Sequence, residues 1–189
     1  FSWSLPPLGF DQCLGSSCLW VVTELTLGYN CVIDMSIVKT NREIFLILHN
    51  IRSAYNVGSI FRTADAAGES KIYIGGYTPA PDNPKVAKTS LGAEKSVAWE
   101  KVFNTWKAIE ELKSKGVSVV ALEQSASSKD YLKFKPKFPI AIVVGNEVKG
   151  LSPDILKRCD SVWHIPMRGK KESLNVSVAT GIFLYKILE

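Results

Sequence analysis

Residues 140–152 read Ile-Ala-Ile-Val-Val-Gly-Asn-Glu-Val-Lys-Gly-Leu-Ser. The first five are apolar without a polar interruption, so they predict a strand covered on both faces, as in a parallel sheet with helices on each side. The run leads straight into Gly145-Asn146-Glu147-Val148-Lys149-Gly150, whose glycines permit a tight turn and close approach of backbone to a ligand. The glycine spacing matches a phosphate loop. Leu151, however, stands where that loop requires a lysine, which argues against NTP hydrolysis. Two readings of the segment stay open: a ligand loop in which Glu147 accepts hydrogen bonds and orders its neighbours, or a plain strand-to-helix turn. Ser152 and Pro153 suit the N-cap and first turn of a short helix over 152–158.

Outward from this segment the same alternation continues. Residues 44–49 (Ile-Phe-Leu-Ile-Leu-His) predict a second buried strand. Residues 56–67 have apolar side chains at helical spacing and stop at Gly68, a residue suited to ending a helix. Strands are predicted over 71–74, 117–122 and 162–165, and helices over 101–115 and 173–188. A Gly/Pro-rich loop fills 75–84, and a lysine-rich connection fills 125–139. Strands alternating with helices predict an α/β domain with a largely parallel sheet.

Two more segments carry polar residues in places where such folds hold ligands. Residues 50–65 follow a predicted strand and open a helix, so Asn56 and Arg62 come from the C-terminal end of a strand. Arg62 on the buried side of an apolar helix would need an anionic partner. An i,i+3 pair with Asp65 is the purely structural reading. In residues 165–179, Ser173 and Asn175 begin a helix whose free N–H groups can hold a polar ligand; ordinary capping by Ser173 would place the same residue there without one. Arg168, Lys170 and Lys171 precede it and could meet phosphates.

The chain has 189 residues with 46% hydrophobic and 22% charged, the balance of a globular domain, and a net charge of +5. All 23 Lys and Arg lie after residue 34, whereas Asp11, Glu24 and Asp34 fall within the first 34 residues. The positive field therefore belongs to the regularly patterned part and permits a polyanionic partner. No apolar run reaches the roughly 20 residues of a membrane helix. Cys13 and Cys18 lack the spacing and the neighbouring histidine of a zinc site, and Cys159 stands alone; this fits a reducing cytoplasm and predicts no metal. Residues 1–34 show no sustained periodicity, and the first methionine is Met35. They read as an N-terminal extension to a domain over 35–189, or else as a short accessory segment packed on it.

Taken in order, Asn56-x-Gly-Ser-Ile-x-Arg-Thr-Ala-Asp65, Gly145-Asn-Glu-x-x-Gly150 and Ile165-Pro-Met-x-Gly-x-x-x-Ser-Leu-Asn-Val-Ser-Val-Ala179 closely resemble the three motifs of the SpoU, or TrmH-like, branch of the SPOUT RNA methyltransferases. The resemblance covers about residues 44–188. It implies a parallel α/β domain with a C-terminal deep trefoil knot, something no periodicity would reveal. It implies S-adenosylmethionine as cofactor, bound by Val144, Gly145, Asn146, Gly150, Ile165, Pro166, Met167, Ser173, Leu174 and Asn175.

The implied reaction is methyl transfer to a ribose 2′-hydroxyl of tRNA or rRNA. Arg62, Asn56, Glu147, Ser173 and Asn175 would form the catalytic set. Arg52, Arg62, Lys133, Lys135, Arg168, Lys170 and Lys171 would contact RNA, with Lys129, Lys137 and the stretch 85–95 as further candidates. The family also implies a homodimer sharing its active site. A non-catalytic RNA-binding module on the same scaffold is the alternative, and it would be expected to show a broken motif. Arg62, Ser173 and Asn175 are all present.

Overall fold

A computed structural model of the chain describes residues 42–189 other than Glu69. The expectations for residues 1–34 lie outside the described residues. In chain order the elements are β1 (Ile44–His49), α1 (Ala54–Ala66), β2 (Ser70–Gly75), α2 (Pro84–Ser90), α3 (Ala93–Ser96), β3 (Trp99–Val102), α4 (Thr105–Ser114), β4 (Ser118–Leu122), β5 (Lys129–Asp130), a 3₁₀ turn (Tyr131–Lys133), β6 (Ile140–Val144), α5 (Pro153–Arg158), β7 (Ser161–His164) and α6 (Val176–Leu188). The strands form one sheet in the order β3-β2-β1-β6-β4-β7-β5. Every pairing is parallel.

All five residues of β6 are buried, because helices cover both faces of the sheet. Alternation along the strands divides the core in two. Leu46, Leu48, Ile72, Ile74, Ile140, Ile142 and Val144 face α1, α2, α3 and α6. Ile47, Tyr73, Val119, Ala121, Ala141 and Val143 face α4 and α5. Since all strands run the same way, all their C-terminal ends share one rim, and the loops leaving it are where such sheets place ligands.

Three local expectations are corrected. The helix expected over 101–115 begins at Thr105, because Lys101 and Val102 belong to edge strand β3. The connection over 125–139 contains β5 and the 3₁₀ turn. The last helix begins at Val176, and its cap is Asn175, whose side chain accepts from the Ser177 N–H. Ser173 therefore lies outside that helix and does not cap it.

Candidate active site

The loop after β6 is held by its own side chains. Asn146 is buried, and its Oδ1 accepts from the Val148 and Lys149 N–H groups at 2.9 and 2.8 Å. Its Nδ2 donates to the Asn50 carbonyl and the Tyr77 hydroxyl, both at 2.9 Å. Gly150 closes the turn at φ 64°, and a Cβ there would lie 2.5 Å from Glu123 Oε2. Only glycine satisfies both conditions. That same Glu123 oxygen accepts from the Leu151 N–H at 2.7 Å.

Glu147 ties this loop to the first motif. Its Oε2 accepts from the Arg52 N–H at 2.9 Å; its Oε1 accepts from the Ser53 N–H at 3.0 Å and from Asn56 Nδ2 at 2.9 Å. Burial works to raise the Glu147 carboxyl, but the Arg52 and Ser53 N–H groups and the Asn56 amide outweigh it and hold it below the usual carboxylate range. Asn56 Oδ1 in turn accepts from Asn175 Nδ2 at 3.0 Å. One chain of contacts, Glu147–Asn56–Asn175, thus joins the three motif segments across α1, the β6 loop and the cap of α6.

Beside this chain lies a hollow of about 360 Å³. Val144, Gly145, Asn146, Gly150, Ile165, Met167, Ser173 and Leu174 line it, as does Glu147. Pro166 is not in the lining, and Asn175 meets the site through Asn56. Glu123, Gln124, His164 and Glu172, which are not among the residues the resemblance implies, also line the hollow. The first two follow directly on the predicted strand over 117–122, a signal available from the strand-end rule. Gln124 Nε2 donates to the Ile165 carbonyl at 3.1 Å, so it also fixes the second loop of the hollow.

Arg62 is elsewhere. It is exposed rather than on the buried side of α1. With Ser59, Thr63, Lys88, Thr89 and Tyr185 it lines a separate hollow of about 540 Å³. The ion pairs among the described residues do not include it. Asp65, offered as its structural partner, instead accepts from the Ser96 hydroxyl. Asn56 and Arg62 are six residues apart on one helix, about 9 Å along its axis and on different faces.

The other basic candidates, Arg52, Lys133, Lys135, Arg168, Lys170 and Lys171, are all exposed. The last three sit on the loop whose Met167 and Glu172 line the smaller hollow. Among the described residues no cluster of three His, Cys, Asp or Glu could hold a metal, and no helix is long and apolar enough to cross a membrane.

The family model described as SpoU rRNA Methylase matches residues 43–185. YacO of Bacillus subtilis, named for the TrmH family of tRNA/rRNA methyltransferases, is 37% identical over 149 residues, 79% of this chain and 59% of that protein. The chain therefore spans less than two thirds of that relative. The tRNA (guanosine(18)-2′-O)-methyltransferase of Aquifex aeolicus is 36% identical over 149 residues, 78% of this chain and 70% of that one. The AdoMet-bound rRNA methyltransferase of Sinorhizobium meliloti superposes with a TM-score of 0.72 at 33% identity, covering 76% of this chain and 55% of that one. The family match takes in the parallel sheet and all three motif segments joined through Asn56, and on that ground the chain belongs to the SpoU rRNA methylase family.

Proposed function

We propose that the chain transfers a methyl group from S-adenosylmethionine to a ribose 2′-hydroxyl of tRNA or rRNA. The observation that carries this reading is the hollow of about 360 Å³ walled by the second and third motif segments and fastened to the first through Glu147. Its size is that of a small-ligand site. Its lining includes Glu123, Glu147 and Glu172 and no Lys or Arg. Such a wall suits a sulfonium cation and repels a triphosphate. Leu122, Val144, Ile165, Met167 and Leu174 supply the apolar surface. S-adenosylmethionine, when bound, supplies the electrophilic methyl.

The chain's own groups must then align the nucleophile. Glu147, Asn56 and Asn175 hold the three loops at fixed separations, and Ser173 faces the hollow. A guanidinium is a poor base, with a pKa above about 12. Arg62 instead holds an RNA phosphate and the reacting hydroxyl together and stabilises charge as it develops. Arg52, Lys133, Lys135, Arg168, Lys170 and Lys171 contact the RNA backbone.

Because Arg62 lies outside the cofactor hollow of its own chain, a second copy delivers it. Val178, Ile182 and Tyr185 on α6 are exposed apolar residues, and Tyr185 lines the Arg62 hollow. We read that face as the homodimer interface, the C-terminal part of the domain as the deep trefoil knot, residues 1–34 as dispensable, and the compartment as the cytoplasm.

Calorimetry should show S-adenosylmethionine binding and no ATP binding. Incubation with unmethylated tRNA and rRNA should yield 2′-O-methylated nucleosides by mass spectrometry. ATP binding without S-adenosylmethionine binding overturns the reading. A fully active monomer in sedimentation at micromolar concentration overturns the shared site. Insolubility of a chain starting at Met35 overturns the dispensable extension.

A further inference from the structure

One rigid, exposed group on the rim has no part in this reading. Tyr77 follows β2 and is 60% exposed. Yet its hydroxyl accepts from Asn146 Nδ2 at 2.9 Å, and its N–H donates to Asn50 Oδ1 at 3.2 Å. Thr78, fully buried, anchors the turn by donating to the Gly75 carbonyl at 2.8 Å and accepting from the Ile51 N–H at 3.0 Å. Two residues take positive φ to build it, Gly76 at 61° and Asn50 at 56°. A Cβ on Gly76 would lie 2.0 Å from Asn50 Oδ1, so that position is restricted to glycine. Asparagine takes the left-handed region more readily than most residues, and Asn50 is held there by its bonds to the Tyr77 N–H and to Asn146, so the turn is fixed while most of the Tyr77 ring stays in water.

A second exposed ring leaves the adjoining strand end. Gly75 is in register with Val102, and the Gly76 N–H donates to the Val102 carbonyl at 3.3 Å. Phe103 therefore leaves the sheet next to the Tyr77 turn, and it is 92% exposed. Arg52 and Lys149, both exposed, come from neighbouring loops of the same rim. Exposed rings among cations are the composition of surfaces that bind unpaired nucleic acid: bases stack on the rings, and cations meet the phosphates. An apolar protein partner would call for a contiguous uncharged patch instead.

We propose that Tyr77, with Phe103 at the adjoining strand end, is a stacking platform for an unpaired base of the RNA, close to the nucleotide whose ribose is methylated. This rests on the methyl-transfer reading above. Asn146 makes the connection: one side chain holds the Tyr77 hydroxyl, orders the Val148 and Lys149 N–H groups, and lines the cofactor hollow. A base on the ring is thereby held in register with the hollow through a single rigid link.

The test compares Tyr77→Ala, Tyr77→Leu and Tyr77→Phe. Binding of labelled unfractionated tRNA and rRNA is read by fluorescence anisotropy, and S-adenosylmethionine binding by calorimetry. The alanine and leucine variants should lose about tenfold or more in RNA affinity, the size of one lost stack. The phenylalanine variant should keep wild-type RNA affinity, and the leucine and phenylalanine variants should bind cofactor alike. If phenylalanine loses as much RNA affinity as alanine, the hydroxyl merely supports the loop and the platform is refuted. If wild type binds RNA and all three variants match it, the platform alone fails. If wild type binds neither RNA, the methyl-transfer reading fails and the platform falls with it.

Discussion

The hollow after β6 is fastened to helix α1 through Asn56, the hollow beside Arg62 is lined by that helix, and the two are built in opposite ways. In the first, polar groups are committed to structure. Glu147 accepts from three partners, and Asn146 makes four contacts through one amide. In the second, the hydroxyls of Ser59, Thr63 and Thr89 are spent on backbone carbonyls, while Arg62 is outside the ion pairs of the described residues. A group held on all sides shapes a site; a charged group held by none is available to whatever arrives. The two hollows should therefore fail differently when altered.

The largest separation is expected at Arg62. Arg62→Ala should lower single-turnover methyl transfer by about 10²–10³ while cofactor affinity stays at the wild-type value. Arg62→Lys should recover little, because an ammonium lacks the planar fork that holds phosphate and hydroxyl together. Near-normal turnover in Arg62→Ala would make the second hollow mere surface and end the comparison.

Glu147→Ala should behave in the reverse manner. It leaves the Arg52 and Ser53 N–H groups and the Asn56 amide without their acceptor, at a cost of about 1–2 kcal/mol for these partly solvated donors. Thermal unfolding should show the loss, and calorimetry a weaker cofactor site. The same carboxylate shapes the acid limb of stability. Its folded pKa lies below the ordinary 4.5, so its contribution is complete above that value and disappears as pH falls through the lower folded value. Glu147→Gln should flatten that limb in a pH series of melting temperatures; an unchanged limb would show that other carboxylates govern it.

A smaller effect is expected at the α6 cap. Asn175→Ala should cost about 1 kcal/mol from the lost contact to the Ser177 N–H. Asn175→Ser should restore most of that stability without restoring the reach to Asn56. The smallest effect belongs to Asp65→Ala, expected within about 0.5 kcal/mol and with normal turnover. A marked loss of turnover there would tie Asp65 to Arg62 after all.

Strands β1 and β6 are legible from the chain to the residue, because unbroken apolar runs end abruptly at polar positions. Strand β3 is not. Its first three residues, Trp99, Glu100 and Lys101, are exposed at a sheet edge, and charges there blend into the helical pattern that follows. Strand β5 has two residues and is defined by pairing with β7, which no local pattern encodes. The exposure of Arg62 was within reach of periodicity. The buried residues of α1 include Val57, Ile60, Phe61 and Ala64, and a position 100° beyond Phe61 turns outward. The site itself depends on contacts between residues 91 and 119 positions apart, Asn56 to Glu147 and Asn56 to Asn175. Spacing along the chain carries no information at that range; only the family resemblance placed those residues together.

Strand β6 is sixth in the chain and fourth in the sheet, and it alone joins β3-β2-β1 to β4-β7-β5. A chain growing from its N-terminus therefore carries an open ribbon edge on β1, and a strand β4 with no neighbour, until residues 140–144 are synthesised. Open edges are the places where strands of other chains can add. Stalling synthesis before Ile140 should leave an aggregation-prone intermediate, whereas release of β6 covers the β1 edge and one side of β4 together, and β7 then covers the other side of β4. In pulse-labelled hydrogen exchange, the amides of β1 and β4 that face β6 should gain protection together with β6, later than those facing β2.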